Sequence, residues 1–283
     1  MKPAAVALAG TLALASAARA EDARTPEVEL ASAGAFYGLA LGIWSSVELD
    51  LSPRPAAWVS AATTAGGLFG GLKLVDSLDL SLAQVRLTES VGFWSALDWL
   101  LLVGELDAFG EETIWLTFGV TAVAAGGALL AAHQGFDPSP GHVSLVNSGG
   151  LWAMPAGLLF GFTFHLGSGE HLPRDLLVLN LLGLGAGVGL AHLYDPSREQ
   201  VLYLDAGLLA GGLGGGLLGV MVGVGTDTEE VATGMTLLGM AGGAWIAVAA
   251  AGFGDGEADR AATPKRRSAR KPAVTLPLWA GTW

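Results

Sequence analysis

One segment occurs three times in this chain at a constant spacing, and this repeat constrains the fold more than any other feature. The copies span residues 79–90, 137–148 and 195–206, so each begins 58 residues after the previous one. A weaker copy begins at Val28. Self-similarity at a fixed period is typical of folds in which one supersecondary unit buries its apolar surface against the next copy. The spacing therefore predicts about four copies of one structural unit.

Eight apolar stretches follow one another along the chain, separated by short polar connections. Several have about the 20 residues that a helix needs to cross a hydrocarbon core of about 30 Å. The stretches are Glu29–Val47, Ala56–Val75, Ser81–Val103, Thr113–His133, His142–Phe164, Leu176–Leu193, Val201–Gly225 and Val231–Phe253.

Membrane helices explain these stretches better than barrel strands do. Backbone polar groups in lipid must be satisfied within the protein, which leaves helices or a closed barrel. Barrel strands alternate in polarity and turn about every ten residues, whereas these stretches contain glycines and few Asn, Asp or Pro turns. Together with the repeat, they predict an all-α fold, a polytopic membrane helix bundle of about four tandem helical hairpins with eight Gly-rich helices.

The two ends of the chain differ in composition from the part between them. Residues 1–20 have the positive start, short apolar core and small-residue cleavage site of a secretory signal peptide, with an uncleaved anchor as the alternative. Residues 21–254 form the predicted membrane repeat domain. Residues 255–283 are predicted to be a basic flexible tail with an apolar aromatic C-terminus. Contact with anionic lipid headgroups is the alternative for the basic part of this tail.

The repeated segment predicts a helix start. Asp137 and Asp195 are residues of the type that caps free amide groups at a helix N-terminus. Pro138 and Pro196 would then occupy the first helical position, where a missing N–H has no cost. Each unit is therefore predicted to be a helix launched by this cap, a short connection and a returning helix.

Glycines at spacing four predict close helix packing. This spacing keeps them on one slowly drifting helix face, and small residues let helix backbones approach in lipid, as in a glycine zipper. The predicted packing positions are Gly149, Gly157, Gly161, Gly207, Gly211, Gly215, Gly219 and Gly223, with Ala153 in the fifth stretch and Gly34, Gly38 and Gly42 in the first. The third stretch has Val91, Ser95 and Trp99 at the corresponding positions, so we expect its partner surface to differ.

Four polar residues inside the apolar stretches are candidates for function. Glu89, Asn147 and Asp205 occupy one repeat position, and Asp98 has no polar counterpart in the other copies. Ionisable groups within membrane helices suggest ion paths or proton relays. The alternative, which we favour for all four, is a hydrogen bond that holds neighbouring helices together.

Composition excludes several other functions. A formal charge of −12 gives no electrostatic support for binding nucleic acid. The absence of cysteine excludes disulfides, thiol catalysis and cysteine metal sites. His165, Glu170 and His171 share one connection, and a weak metal site is the alternative interpretation for them, but their spacing fits no established metal template. All five histidines, which also include His133, His142 and His192, are expected near helix ends. No nucleophilic triad stands out, so we expect no catalysis, cofactor or metal.

These observations predict a structural or scaffolding protein of the bacterial cell envelope. A channel or transporter for a small solute, ion or proton, using the intramembrane carboxylates, is the alternative, and an enzyme acting on lipid is a third reading. The expected partner is the lipid bilayer, with a second copy of the chain or other envelope proteins as further partners. The inner membrane is favoured over the outer one. The distribution of basic residues disagrees with this topology. The connections predicted to lie on the exported side contain Arg24, Lys73, Arg86, Arg198 and the basic tail, whereas the other side has only Arg54 and Arg174, and the positive-inside rule disfavours this arrangement.

Overall fold

The structure, a computed structural model, describes residues 25–110, 112–164, 171–223 and 228–252. Within these ranges the chain forms eight helices and no strand. The helices are α1 (Pro26–Glu48), α2 (Pro53–Leu78), α3 (Leu82–Glu105), α4 (Thr113–His133), α5 (Pro140–Thr163), α6 (Leu172–Tyr194), α7 (Arg198–Gly223) and α8 (Thr228–Ala251). The predicted signal peptide and the predicted C-terminal tail lie outside the described residues.

The expectation of an all-helical, membrane-type chain is confirmed. Six helices are long and apolar enough to cross a membrane, namely α1, α4, α5, α6, α7 and α8. Large apolar side chains cover their outer surface, and Leu217 and Trp245, for example, are 64% and 75% exposed. A surface of this kind is stable in lipid and would aggregate in water. Of the other two helices, α3 carries four charged residues, which are Arg86, Glu89, Asp98 and Glu105.

Consecutive helices pack most closely, as α1 with α2, α3 with α4, α5 with α6 and α7 with α8. The contacts run in opposite directions along the two helices of a pair. Gly207 of α7 lies against Gly243 of α8, and Gly211, one turn later, lies against Gly239, one turn earlier. The helices of a pair are therefore antiparallel.

The first helices of successive pairs contact one another, and this places the pairs side by side. Helix α3 contacts α1 and α5, and α5 contacts α7. In addition, α3 contacts α6 and α5 contacts α8. Helices α3 and α5 consequently have more close neighbours than the other helices.

The prediction that aspartate caps these helices is wrong. Asp79 and Asp195 have left-handed backbone conformations, with φ of 51° and 42°, and they end α2 and α6 instead of starting the next helix. Aspartate tolerates this conformation better than most residues that have a Cβ atom. The cap is the serine two residues later, since the Ser81 and Ser139 hydroxyls accept hydrogen bonds from the backbone N–H of the third helical residue. Pro138 and Pro196 accordingly precede the helices.

The basic residues assigned to connections also lie elsewhere. Lys73 is in the sixth turn of α2, and Arg86 is inside α3 with only 8% of its surface exposed. Arg198 is the first residue of α7. The conflict with the positive-inside rule is therefore weaker than the sequence suggested, because Arg86 is buried and is not a connection charge.

Candidate functional site

Asn147 joins two helix pairs through hydrogen bonds from the preceding pair. It lies on α5, and its Oδ1 accepts from Trp94 Nε1 on α3 at 2.8 Å and from the Ser90 hydroxyl. Ser90 and Trp94 are four residues apart on α3, so both side chains lie on the same helix face. Asn147 is therefore held by two donors from the neighbouring pair.

Asp205 makes the same arrangement one pair later. Its Oδ1 accepts from Trp152 Nε1 on α5 at 2.9 Å and from the Ser148 hydroxyl. The donors and the acceptor are each 58 residues after their counterparts around Asn147. The sequence had identified both acceptors but not the Ser and Trp donors, although the repeat spacing carries that signal.

Glu89, Asn147 and Asp205 occupy three different interfaces. Glu89 lies near Tyr37 of α1, Asn147 lies between α3 and α5, and Asp205 lies between α5 and α7. Each is seven residues after the start of its helix, which corresponds to about 10 Å of helix rise. The three residues therefore form a row across the bundle at one depth, and they do not follow the helix axes through it.

Asp98 has a different partner, which lies on α6 and was not predicted from the sequence. Asn180 Nδ2 on α6 donates to Asp98 Oδ1 at 2.6 Å. Asn180 is fully buried, and its own Oδ1 has no hydrogen-bond donor among the described residues. The bond joins α3 to α6 and has no counterpart 58 residues later, where Ala156 and Leu238 stand.

A second contact between α3 and α6 lies at the end of α3. Glu105 Oε1 is 3.0 Å from His171 Nδ1, and the backbone N–H of Arg174 donates to Glu105 Oε2 at 3.3 Å. The His171 side chain is half-exposed. His165 and Glu170, its proposed companions in a metal site, lie outside the described residues. Within the described part, no group of three or more His, Asp or Glu side chains could hold a metal ion.

A buried ion pair, which the sequence pattern did not predict, joins the first two helix pairs. Arg86 Nε on α3 is 2.8 Å from Glu29 Oε1 on α1, and both side chains are less than a tenth exposed. Glu29 is the first residue of the first apolar stretch, and Arg86 was predicted to be a connection charge. Because the two lie 57 residues apart, the repeat could have placed them on neighbouring helices, but opposite charge alone does not identify a contact.

The residues at another repeat position connect the start of the first helix of a pair to the end of the second helix of the same pair. Gln84 Nε2 donates to the carbonyl oxygens of Ala132 and Phe136 at the end of α4, at 3.2 and 2.9 Å. Gln200 donates in the same way to the carbonyls of Ala251 and Gly252, at 3.2 and 2.7 Å. His142, which stands between them in the repeat, places Nε2 3.0 Å from Asp195 Oδ1 at the end of α6.

Most of the predicted packing glycines lie against the partner helix of their own pair. A Cβ atom added at Gly149, Gly207, Gly211 or Gly215 would overlap a backbone carbonyl oxygen of the partner helix. At Gly219 it would lie 2.6 Å from the Ala232 Cα atom. Gly157 differs, because its neighbours are side-chain atoms of Leu179, which can move. Gly223 is buried at the end of α7, and Gly161 is partly exposed in α5.

An apolar groove of about 370 Å³ lies between α5, α7 and α8. Trp152, Pro155, Leu213 and Met240 are among its lining residues, and Gly212 and Gly216 leave space along α7. Asp98 is not on its wall. The groove therefore offers no route for a polar solute to this carboxylate.

Comparison of the chain with models of protein families, with curated proteins and with solved structures gives no match.

Proposed function

We propose that this chain is an integral membrane repeat protein of the bacterial cell envelope, built from four tandem helical hairpins, with a structural or scaffolding role and no catalysis. Six helices of membrane-spanning length and an apolar outer surface support the membrane location. Export is supported by the signal-like residues 1–20. The four pairs of helices would be the four copies of the repeated unit.

The observation that carries this proposal is the pairing of polar groups between hairpins. Asn147 and Asp205 each accept from a serine and a tryptophan of the preceding hairpin. Polar side chains in membrane helices that are bonded to one another hold helices together, whereas a path needs groups at successive depths. Because Glu89, Asn147 and Asp205 lie at one depth, their arrangement favours a structural role over transport.

The bonding pattern between hairpins also ends at the fourth hairpin, which favours an array of fixed size. The positions 58 residues after Ser148 and Trp152 are Ala206 and Ala210, which have no side-chain donors. The fourth hairpin therefore cannot bind a fifth one in this way. An array with a defined last member fits a structural unit of fixed size.

A complementation experiment separates the structural role from transport. In cells that lack the chain, we expect weakened exclusion of a dye that the intact envelope keeps out. Wild-type protein and Asp98→Asn should both restore exclusion, while the double variant Trp94→Leu/Trp152→Leu should not. If a folded Asp98→Asn protein fails to restore it, the structural reading is wrong and transport is favoured.

The membrane location has its own test. Carbonate extraction should leave the protein in the membrane pellet, and circular dichroism in detergent should be mainly helical. Recovery in the soluble fraction would contradict the proposal irrespective of the complementation result.

Asp98 favours a second candidate, a channel or transporter for a proton, ion or small solute. It is a partly buried carboxylate with one hydrogen-bond donor among the described residues, and the side-chain oxygen of that donor, Asn180, has no hydrogen-bond partner there. Liposomes containing the protein and an internal pH-sensitive dye should then acidify faster than empty liposomes after an external pH drop. Asp98→Asn should abolish the difference, and equal rates with and without protein would refute this candidate.

A further inference from the structure

Asp98 is partly buried and has fewer hydrogen-bond donors than an ionised carboxylate can use. Within the described part of the chain its one donor is Asn180 Nδ2, at 2.6 Å. An ionised carboxylate can accept about four hydrogen bonds. Asp205, by comparison, accepts from two donors. An ionised Asp98 would therefore be poorly compensated.

Asn180 adds to this shortage of donors. Its Oδ1 is buried without a hydrogen-bond donor in the described residues, although the residue is fully buried. The oxygen faces Gly150 of α5, where an added Cβ atom would lie 2.9 Å from it, with Leu184 and Trp94 side chains beside it. A glycine Cα–H group provides only a weak contact. The pair thus has more acceptor oxygens than donors, as expected of a site that lacks a proton.

No countercharge compensates Asp98 either. It forms no ion pair among the described residues. On α3 itself Arg86, which is paired with Glu29, lies twelve residues before it, and Glu89 and Glu105 lie nine residues before it and seven after. The ionisable residues of the four helices packed against α3 are Glu27, Glu29, Tyr37 and Glu48 on α1, His133 on α4, His142 on α5, and Arg174, Asp175, His192 and Tyr194 on α6. None of them bonds to Asp98. An unpaired charge away from water is costly, and a carboxylic acid avoids that cost.

We propose that Asp98 and Asn180 form a proton-binding site between α3 and α6, in which Asp98 carries the proton. Protonation removes the uncompensated charge of Asp98, and the Asn180 amide holds the acid by donating to Oδ1. Gly150 leaves room for the Asn180 amide, since any side chain there would meet its oxygen. The inference deepens the transport candidate and rests on it for its biological use, but proton binding itself can be measured without transport.

Infrared difference spectroscopy tests the site directly. In lipid vesicles at neutral pH, the wild-type minus Asp98→Asn spectrum should contain the carbonyl stretch of a protonated carboxylic acid, shifted to lower frequency in D₂O. The matched control Asp205→Asn should keep this component. Asn180→Leu should keep the band and shift its frequency, because the acid loses its amide partner. Helical circular dichroism of each variant establishes that it is folded.

Two results would overturn the proposal. A difference spectrum in which Asp98→Asn removes carboxylate bands, with no acid band, would show an ionised Asp98. Loss of the acid band on adding sodium at constant pH would show a sodium site instead. Vesicles that conduct no protons but retain the acid band would refute the transport candidate and leave the proton-binding site standing.

Discussion

Gly214 and Gly215 are neighbours in α7 that differ in what surrounds them, and they provide a matched test of helix packing. A Cβ atom added at Gly214 would meet nothing within 4 Å. At Gly215 it would overlap the carbonyl oxygen of Met235 and lie 3.0 Å from the Gly239 Cα atom of α8. Both obstacles are backbone atoms, so they can yield only if α7 and α8 move apart. We therefore compare Gly214→Ala with Gly215→Ala.

The two substitutions should differ in their effect on stability. Replacing glycine by alanine inside a helix stabilises it by about 0.8–1.0 kcal/mol where the space is open, and this is the expected result at Gly214. The same propensity gain applies at Gly215, but overpacking typically costs about 1–3 kcal/mol. The two variants should consequently differ by about 1–3 kcal/mol in the free energy of unfolding, with Gly215→Ala the less stable.

Equilibrium unfolding by sodium dodecyl sulfate in mixed micelles, followed by circular dichroism, measures this difference. Leu217→Ile, on an exposed face of the same helix, should change little. Gly242 and Gly243 of α8 form a second pair of the same kind, since a Cβ atom meets nothing at Gly242 and overlaps the Gly207 carbonyl oxygen at Gly243. Equal effects within both pairs would refute the packing argument.

Three further predictions concern the polar contacts. Arg86→Leu should destabilise the protein by about 3–5 kcal/mol, because it leaves Glu29 buried without its charge partner, and the double variant with Glu29→Leu should recover most of the loss in the same unfolding assay. Trp152→Phe removes the indole donor to Asp205 and should lower the free energy of unfolding by about 0.6–1.7 kcal/mol. A double-mutant cycle with Asp205→Ala should give a coupling energy of this size, and a smaller coupling energy would show that the bond is not formed. Gln200→Leu should raise the hydrogen-exchange rate in the last turn of α8, and unchanged exchange there would contradict its role as a tie.

Contacts that recur with the repeat could be predicted from the sequence, and contacts that occur once could not. Asn147 and Asp205 were identified because they share a repeat position, and each makes the same bonds as the other. Asp98 and Asn180 lie 82 residues apart, which is not a multiple of the period. Their contact depends on how α6 is rotated against α3, and no periodic pattern specifies that rotation.

The helix starts were misassigned for a different reason. Each copy of the repeat places an aspartate two residues before a serine, and both residue types are good caps. What decides between them is the backbone of Asp79 and Asp195, which is left-handed and ends the preceding helix. The sequence could place the boundary within a few residues, but it could not assign the two capping roles.

Glycine contacts and polar contacts contribute differently to this fold. The glycines of α7 and α8 recur at spacing four, so a slip of one turn would bring Gly211 opposite Gly243 and Gly215 opposite Gly239, again small against small. Close packing alone therefore permits more than one register. The same slip would move Gln200 by about 5.4 Å relative to the end of α8, which is too far for its two carbonyl bonds of 3.2 and 2.7 Å. The polar side chain at the helix end thus selects the register, and the glycines stabilise the register that it selects.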